Sequence, residues 1–107
     1  MQDKIMQAML NRGITRRQLG YDPLVSLVER FIQEPCLYNS ALEEVARENN
    51  ITVKALKSRI RTIARHCEWA DPEGFQEMMV GGPYRLRLLV RTLADDAETL
   101  PPTTPNA

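Results

Sequence analysis

Apolar residues recur three and four positions apart along this chain, and no segment alternates polar with apolar long enough to suggest a strand. The pattern predicts helices throughout. An opening helix near residues 2 to 12 carries Ile5 and Met9 on one side and stops at Gly13, a residue suited to the left-handed conformation of helix ends. Thr15 and Gln18 have capping-box spacing and predict a short turn of helix ended by Gly20. In "DPLVSLVERFIQEP", Asp22 is placed to cap, Pro23 suits the first helical position and Pro35 forbids continuation. Leu24, Leu27, Val28, Phe31 and Ile32 then form the stripe of a core helix. Ser40 and Glu43 predict the next helix start, with Leu42, Val45 and Ala46 inward and Asn49 and Asn50 at its end. Thr52 offers a hydroxyl to cap a helix from Val53 to about Cys67, whose Leu56, Ile60, Ile63, Ala64 and Cys67 face inward. A helix from Asp71 and Pro72 places Phe75, Met78 and Met79 inward, the methionines as core gap-fillers. Another after "GGP" turns Leu86, Leu89, Val90 and Leu93 inward. Beyond Ala97, "ETLPPTTPNA" has no periodicity and three prolines, and reads as a disordered tail over 98–107. The expectation is an all-α fold over 1–97, a single small bundle of about six helices with a helix-turn-helix embedded at about 40–67.

Composition adds limits. With 107 residues, 43% hydrophobic and 26% charged, the chain suits one globular domain with one core. Its apolar runs are too short to span a membrane, and "MQDKIMQAML" lacks the pattern of a signal peptide, so a cytoplasmic location is expected. Cys36 and Cys67 are too far apart for a CxxC pair or the usual zinc spacings, and are read as two reduced packing thiols. Cys36, His66 and Cys67 lack a fourth ligand, so no metal and no cofactor are expected.

Charge changes the picture in one place. The chain's fourteen basic and fourteen acidic residues cancel, yet "ITVKALKSRIRTIARHC" (51–67) holds five Lys or Arg and no acid. Helical spacing puts Lys54, Lys57, Ser58, Arg61, Thr62 and Arg65 on the face opposite the apolar stripe, with Arg59 at its margin. Such a face is commonly just solvated. A solvated face normally mixes signs, however, and here Lys57 and Arg61, then Arg61 and Arg65, stand four apart as like-charged pairs. Each pair costs roughly a few tenths of a kcal/mol unless an anionic partner relieves it.

The order of elements supports a partner. "LEEVARENNITVKALKSRIR" runs as a first helix with a small residue, Ala46, where two helices approach, then a tight turn, then a second helix locked by Leu56 and Ile60. In a helix-turn-helix the second helix enters the major groove of double-stranded DNA. Lys54, Lys57, Arg59 and Arg65 have the chemistry for phosphates, and Ser58, Arg61 and Thr62 that for base edges. Arg16 and Arg17 read as a solvated pair, with DNA-backbone contacts as a second role. The turn has Asn49 and Asn50 where many such motifs place Leu and Gly. Asn tolerates the left-handed conformation, but the turn is expected to lack a packing residue.

"GYDPLVSLVERFI", "VARENNITVKALKSRIRTIARHCEW" and "PYRLRLLVRTLADDAE" together resemble the C-terminal DNA-binding effector domain of the sporulation initiation response regulators, the stage zero sporulation protein A family. The likeness spans roughly residues 14 to 97 and rests on helix order and on Gly20, Tyr21, Ala46, Ile60, Arg61 and Trp69. It implies a six-helix bundle that binds promoter DNA as a tandem dimer in the bacterial nucleoid. Of the family's DNA-reading residues Arg61 alone matches. Ala55, Lys57 and Ser58 stand where the family has Arg, Glu and Arg, so its operator does not carry over. The chain leaves no room for a receiver domain, which implies a free-standing effector domain. The helix-turn-helix also resembles the promoter-reading region of sigma factors.

Two further classes bracket this reading. A protein-interaction module would use the same fold to dock an acidic partner, such as a sigma factor, RNA polymerase or another regulator. An enzyme is not expected, because the single histidine, His66, adjoins the inward stripe as a boundary residue, Asp95 and Asp96 read as a solvated pair, and Gly81 and Gly82 lack a phosphate-loop pattern.

Overall fold

Apolar burial sets the helix boundaries as much as capping does. In a computed structural model that describes residues 2–78 and 85–100, six α-helices and one 3₁₀ turn form a small all-α bundle. The helices are α1 (Gln2–Asn11), α2 (Tyr21–Gln33), α3 (Tyr38–Glu48), α4 (Val53–Ala70), α5 (Pro72–Met78) and α6 (Arg85–Thr99). Helix α6 is the hub and packs on α1, α2, α4 and α5, while α3 packs on α2 and α4. The core is continuous from Ile5 and Met9 through Leu24, Leu27 and Val28 to Leu56, Ile60, Leu89 and Leu93. The inward placement expected for Met78 concerns a side chain that is not described, and Met79 and the tail beyond residue 100 lie outside the described residues.

Several boundaries differ from the sequence expectation, among them the end of α4, which runs to Ala70 rather than to about Cys67. Residues 15–20 form turns rather than a short helix, held by Thr15 N–H to Gln18 Oε1 at 3.4 Å and Gln18 N–H to the Thr15 carbonyl at 3.1 Å. Helix α2 begins at Tyr21 with Gly20 as its N-cap residue, so Asp22 lies in the first turn instead of capping it. Burying Tyr21 pulls the start back by two residues, and Gly20 permits it with a φ of 97°. Helix α3 likewise begins at Tyr38, straight out of the 3₁₀ turn Pro35–Leu37, and leaves Ser40 exposed inside the helix. Tyr38 is buried edge-on against Phe31, with ring centroids 6.3 Å apart. At the other end of the chain α6 runs to Thr99, two residues beyond Ala97.

The same termination device is used twice. At the end of α1, Ile14 N–H reaches the Met9 carbonyl at 2.8 Å and Gly13 N–H that of Leu10 at 2.9 Å, with Gly13 left-handed. At the end of α3, Ile51 N–H reaches the Ala46 carbonyl at 3.0 Å and Asn50 N–H that of Arg47 at 3.1 Å, with Asn50 left-handed at φ 55°. Both are Schellman motifs, in which a residue just past the left-handed one packs back on the helix. Ile51 is that residue in the α3–α4 turn and lies partly buried against the core. It supplies the packing contact that the Asn49–Asn50 pair lacked in the sequence reading.

Candidate nucleic-acid interface

Helix α4 is oriented from below. Leu56, Ile60 and Ile63 are fully buried and Ala64 and Cys67 nearly so, as the spacing predicted. Each large side chain contributes roughly 1.5–3 kcal/mol on burial. That outweighs the few tenths of a kcal/mol lost to each like-charged pair on the outer face. The helix therefore forms and holds its rotation despite its charge. Thr52 Oγ1 accepts the Ala55 N–H at 3.0 Å, the cap the sequence predicted, and fixes where α4 starts.

The outer face follows. Lys54, Lys57, Ser58, Arg61, Thr62 and Arg65 are all exposed and Arg59 is half-buried at the margin. The Thr62 hydroxyl donates to the Ser58 carbonyl at 3.1 Å, so toward an outside ligand Thr62 offers lone pairs and a methyl group rather than a proton. His66 is exposed, not the boundary residue expected, because it lies on the solvent side of Cys67.

Although the exposed Glu68 stands beside them on the same helix, the cations of this face make no ion pair among the described residues. The ion pairs found there are Arg12 with Asp96 at 2.6 Å and Arg30 with both Glu44 and Glu48. Asp96 is thus tied to Arg12 in the turn after α1 instead of standing as a free solvated pair with Asp95. Glu44 and Glu48 belong to α3, the helix just before α4, yet they are turned to Arg30 on α2. The carboxylates that precede the basic helix are committed elsewhere, and Glu68, near the end of α4, is the acid the helix itself carries.

The loop 15–20 extends the basic surface. Arg16, Arg17 and Arg59 line one shallow depression, together with Asp22. The approach is close: a Cβ on Gly20 would meet the Arg59 Cβ at 2.9 Å, so glycine is needed here for space as well as for φ. Arg16 also reaches the Met6 sulfur at 3.6 Å. With Lys54, Lys57, Arg61 and Arg65, these residues make up half of the fourteen Lys and Arg in the chain.

One member of the face was missed in the sequence. Trp69 is 87% exposed and stands on the outward stripe of Ser58, Thr62 and Arg65, at offsets of four and three and then four. The signal was present in that spacing. At about 1.5 Å per residue, Trp69 lies roughly 16 Å along the axis from Ser58, beside a shallow depression shared with Arg65 and His66.

The two thiols differ. Cys67 is buried, and burial pushes its thiol up to about 11 against the opposing field of Arg12. Cys36, in the 3₁₀ turn, is exposed and free, not the packing thiol expected. Among the described residues no group of three His, Cys, Asp or Glu is arranged to hold a metal. No helix there is long and apolar enough to cross a membrane. Comparison of the chain with protein-family profiles, curated proteins and solved structures finds no match.

Proposed function

We propose that the chain is a non-enzymatic, sequence-specific DNA-binding transcription regulator of the bacterial cytoplasm that inserts α4 into the major groove. The observation that carries this reading is the exposed face of α4, acid-free from Val53 to Cys67, whose cations make no ion pair among the described residues. A helix of 18 residues is about 27 Å long, enough for one half to lie in the groove while the other leaves it. Lys54, Lys57, Arg59 and Arg65 neutralise phosphates, Arg16 and Arg17 add backbone contacts, and Ser58, Arg61 and Thr62 face bases. Trp69 closes the face at its far end. The resemblance to the sporulation regulators supports the same role, and one helix-turn-helix reads only a half-site, so the complex on DNA is a homodimer.

The test is retention of random-sequence duplexes by the purified chain, with sequencing of the retained pool. A motif is expected to emerge. Arg61→Ala is expected to weaken binding to the best site by about 1–3 kcal/mol and to relax one base position. An unaltered preference would remove Arg61 from the readout.

Exposure of Trp69 favours a second reading, in which the same face docks an acidic protein such as a sigma factor. Failure to enrich any duplex at low salt, with a salt-insensitive protein complex, would select it.

A further inference from the structure

Beside the basic ridge lies a cleft of about 620 Å³, bounded by the start of α3, the middle of α4, α5 and the start of α6. Its floor is apolar: Leu42, Ala64 and Phe75 are buried and Leu86 is partly so. Its rim is cationic, formed by the exposed Lys57, Arg61, Arg65 and Arg87, with Glu68 as the one carboxylate among the described residues. None of these cations has a carboxylate within ion-pair distance among the described residues. Arg87 is held over the Tyr38 ring, 5.6 Å from its centroid, so one rim cation is fixed in place.

We infer that this cleft binds a small amphipathic anion, a carboxylate carried on a short apolar body, and that its occupation competes with duplex DNA. The volume falls within the roughly 300–1,000 Å³ of small-molecule sites, which combine an apolar lining with a few placed polar groups. Three cations against one acid at the α4 edge, with Arg87 opposite, give charge complementarity for an anionic head. The apolar lining is confined to the floor and bounded by charge on the open side. That suits one short apolar body rather than a long partner segment. Lys57, Arg61 and Arg65 serve both the cleft rim and the outer face of α4. A bound carboxylate therefore offsets charge that the DNA reading requires. This second half rests on the proposed function; binding in the cleft does not.

The test is calorimetric titration of the whole chain with monomeric decanoate, with decanol, acetate and anionic phosphatidylglycerol vesicles as comparisons. Decanoate is expected to bind one to one, with decanol and acetate roughly tenfold weaker, since a charge-assisted contact and an apolar body are both needed. Arg87→Gln, a surface change whose fold is checked by thermal melting, is expected to weaken decanoate roughly fivefold. Saturating decanoate is expected to release a retained duplex and to lower the salt slope of DNA binding by about one. Equal binding of decanoate and decanol, no effect of Arg87→Gln, or binding to vesicles alone would overturn the cleft assignment. Decanoate binding without any duplex retention would keep the cleft and sink the DNA reading. Duplex retention without decanoate binding would do the reverse.

Discussion

Helices α2 and α4 each bury a stripe of apolar residues, but their outward cations meet different company. On α2, Arg30 is held by Glu44 and Glu48 of α3. On α4, Lys57, Arg61 and Arg65 have no such partner among the described residues. The acids of α3 could have balanced the helix that follows them; the packing of α3 on α2 directs them the other way. A net charge of zero therefore conceals an arrangement in which the outward cation of one helix is paired across the fold and those of the other make no ion pair among the described residues. Local charge, not the sum, sets the field at a contact face.

The inner face of α4 gives the largest expected effect. Leu56→Ala should cost about 2–5 kcal/mol of stability, read as a lowered denaturation midpoint, because Leu56 is fully buried where α4 locks onto the bundle. A loss below about 1 kcal/mol would mean that α4 is not anchored as described. Thr52→Ala should cost about 1 kcal/mol by removing the acceptor for the Ala55 N–H. An unchanged melting curve would show that the cap is not formed in solution. Arg30→Gln should cost about 1 kcal/mol or less, since its two pairs are solvent-accessible. It sharpens the comparison: stability should fall slightly while the unpaired cations of α4 keep their role, and a large loss of DNA binding would show that the two helices are not independent.

Much of this was legible in the sequence, and the gaps have physical causes. The buried stripe of α4 was readable to the residue because five positions repeat at helical spacing. The starts of α2 and α3 were placed late because Asp22 and Ser40 are good caps, whereas burial of Tyr21 and Tyr38 decides where those helices begin. The Thr15 and Gln18 spacing was real but produced a turn, since the segment is caught between the Schellman end at Gly13 and the left-handed Gly20. Cys36 sits in a 3₁₀ turn where no period tells inside from outside, whereas Cys67 continues the α4 stripe. Trp69 entered the sequence reading only through the resemblance, although its offset from Ser58 places it on the outward stripe.

The most direct measurement is duplex affinity as a function of salt for the parent chain and for Lys57→Gln/Arg61→Gln/Arg65→Gln, with both melting at the same temperature. If about four phosphates are neutralised per protomer, the logarithm of parent affinity should fall with the logarithm of salt at a slope near about −3 to −4. In the substituted chain that slope should shrink by about two units, as the phosphate contacts of Lys57 and Arg65 are removed. A folded variant that binds duplex with the parent's affinity and slope would contradict the assignment of α4 as the DNA-reading helix.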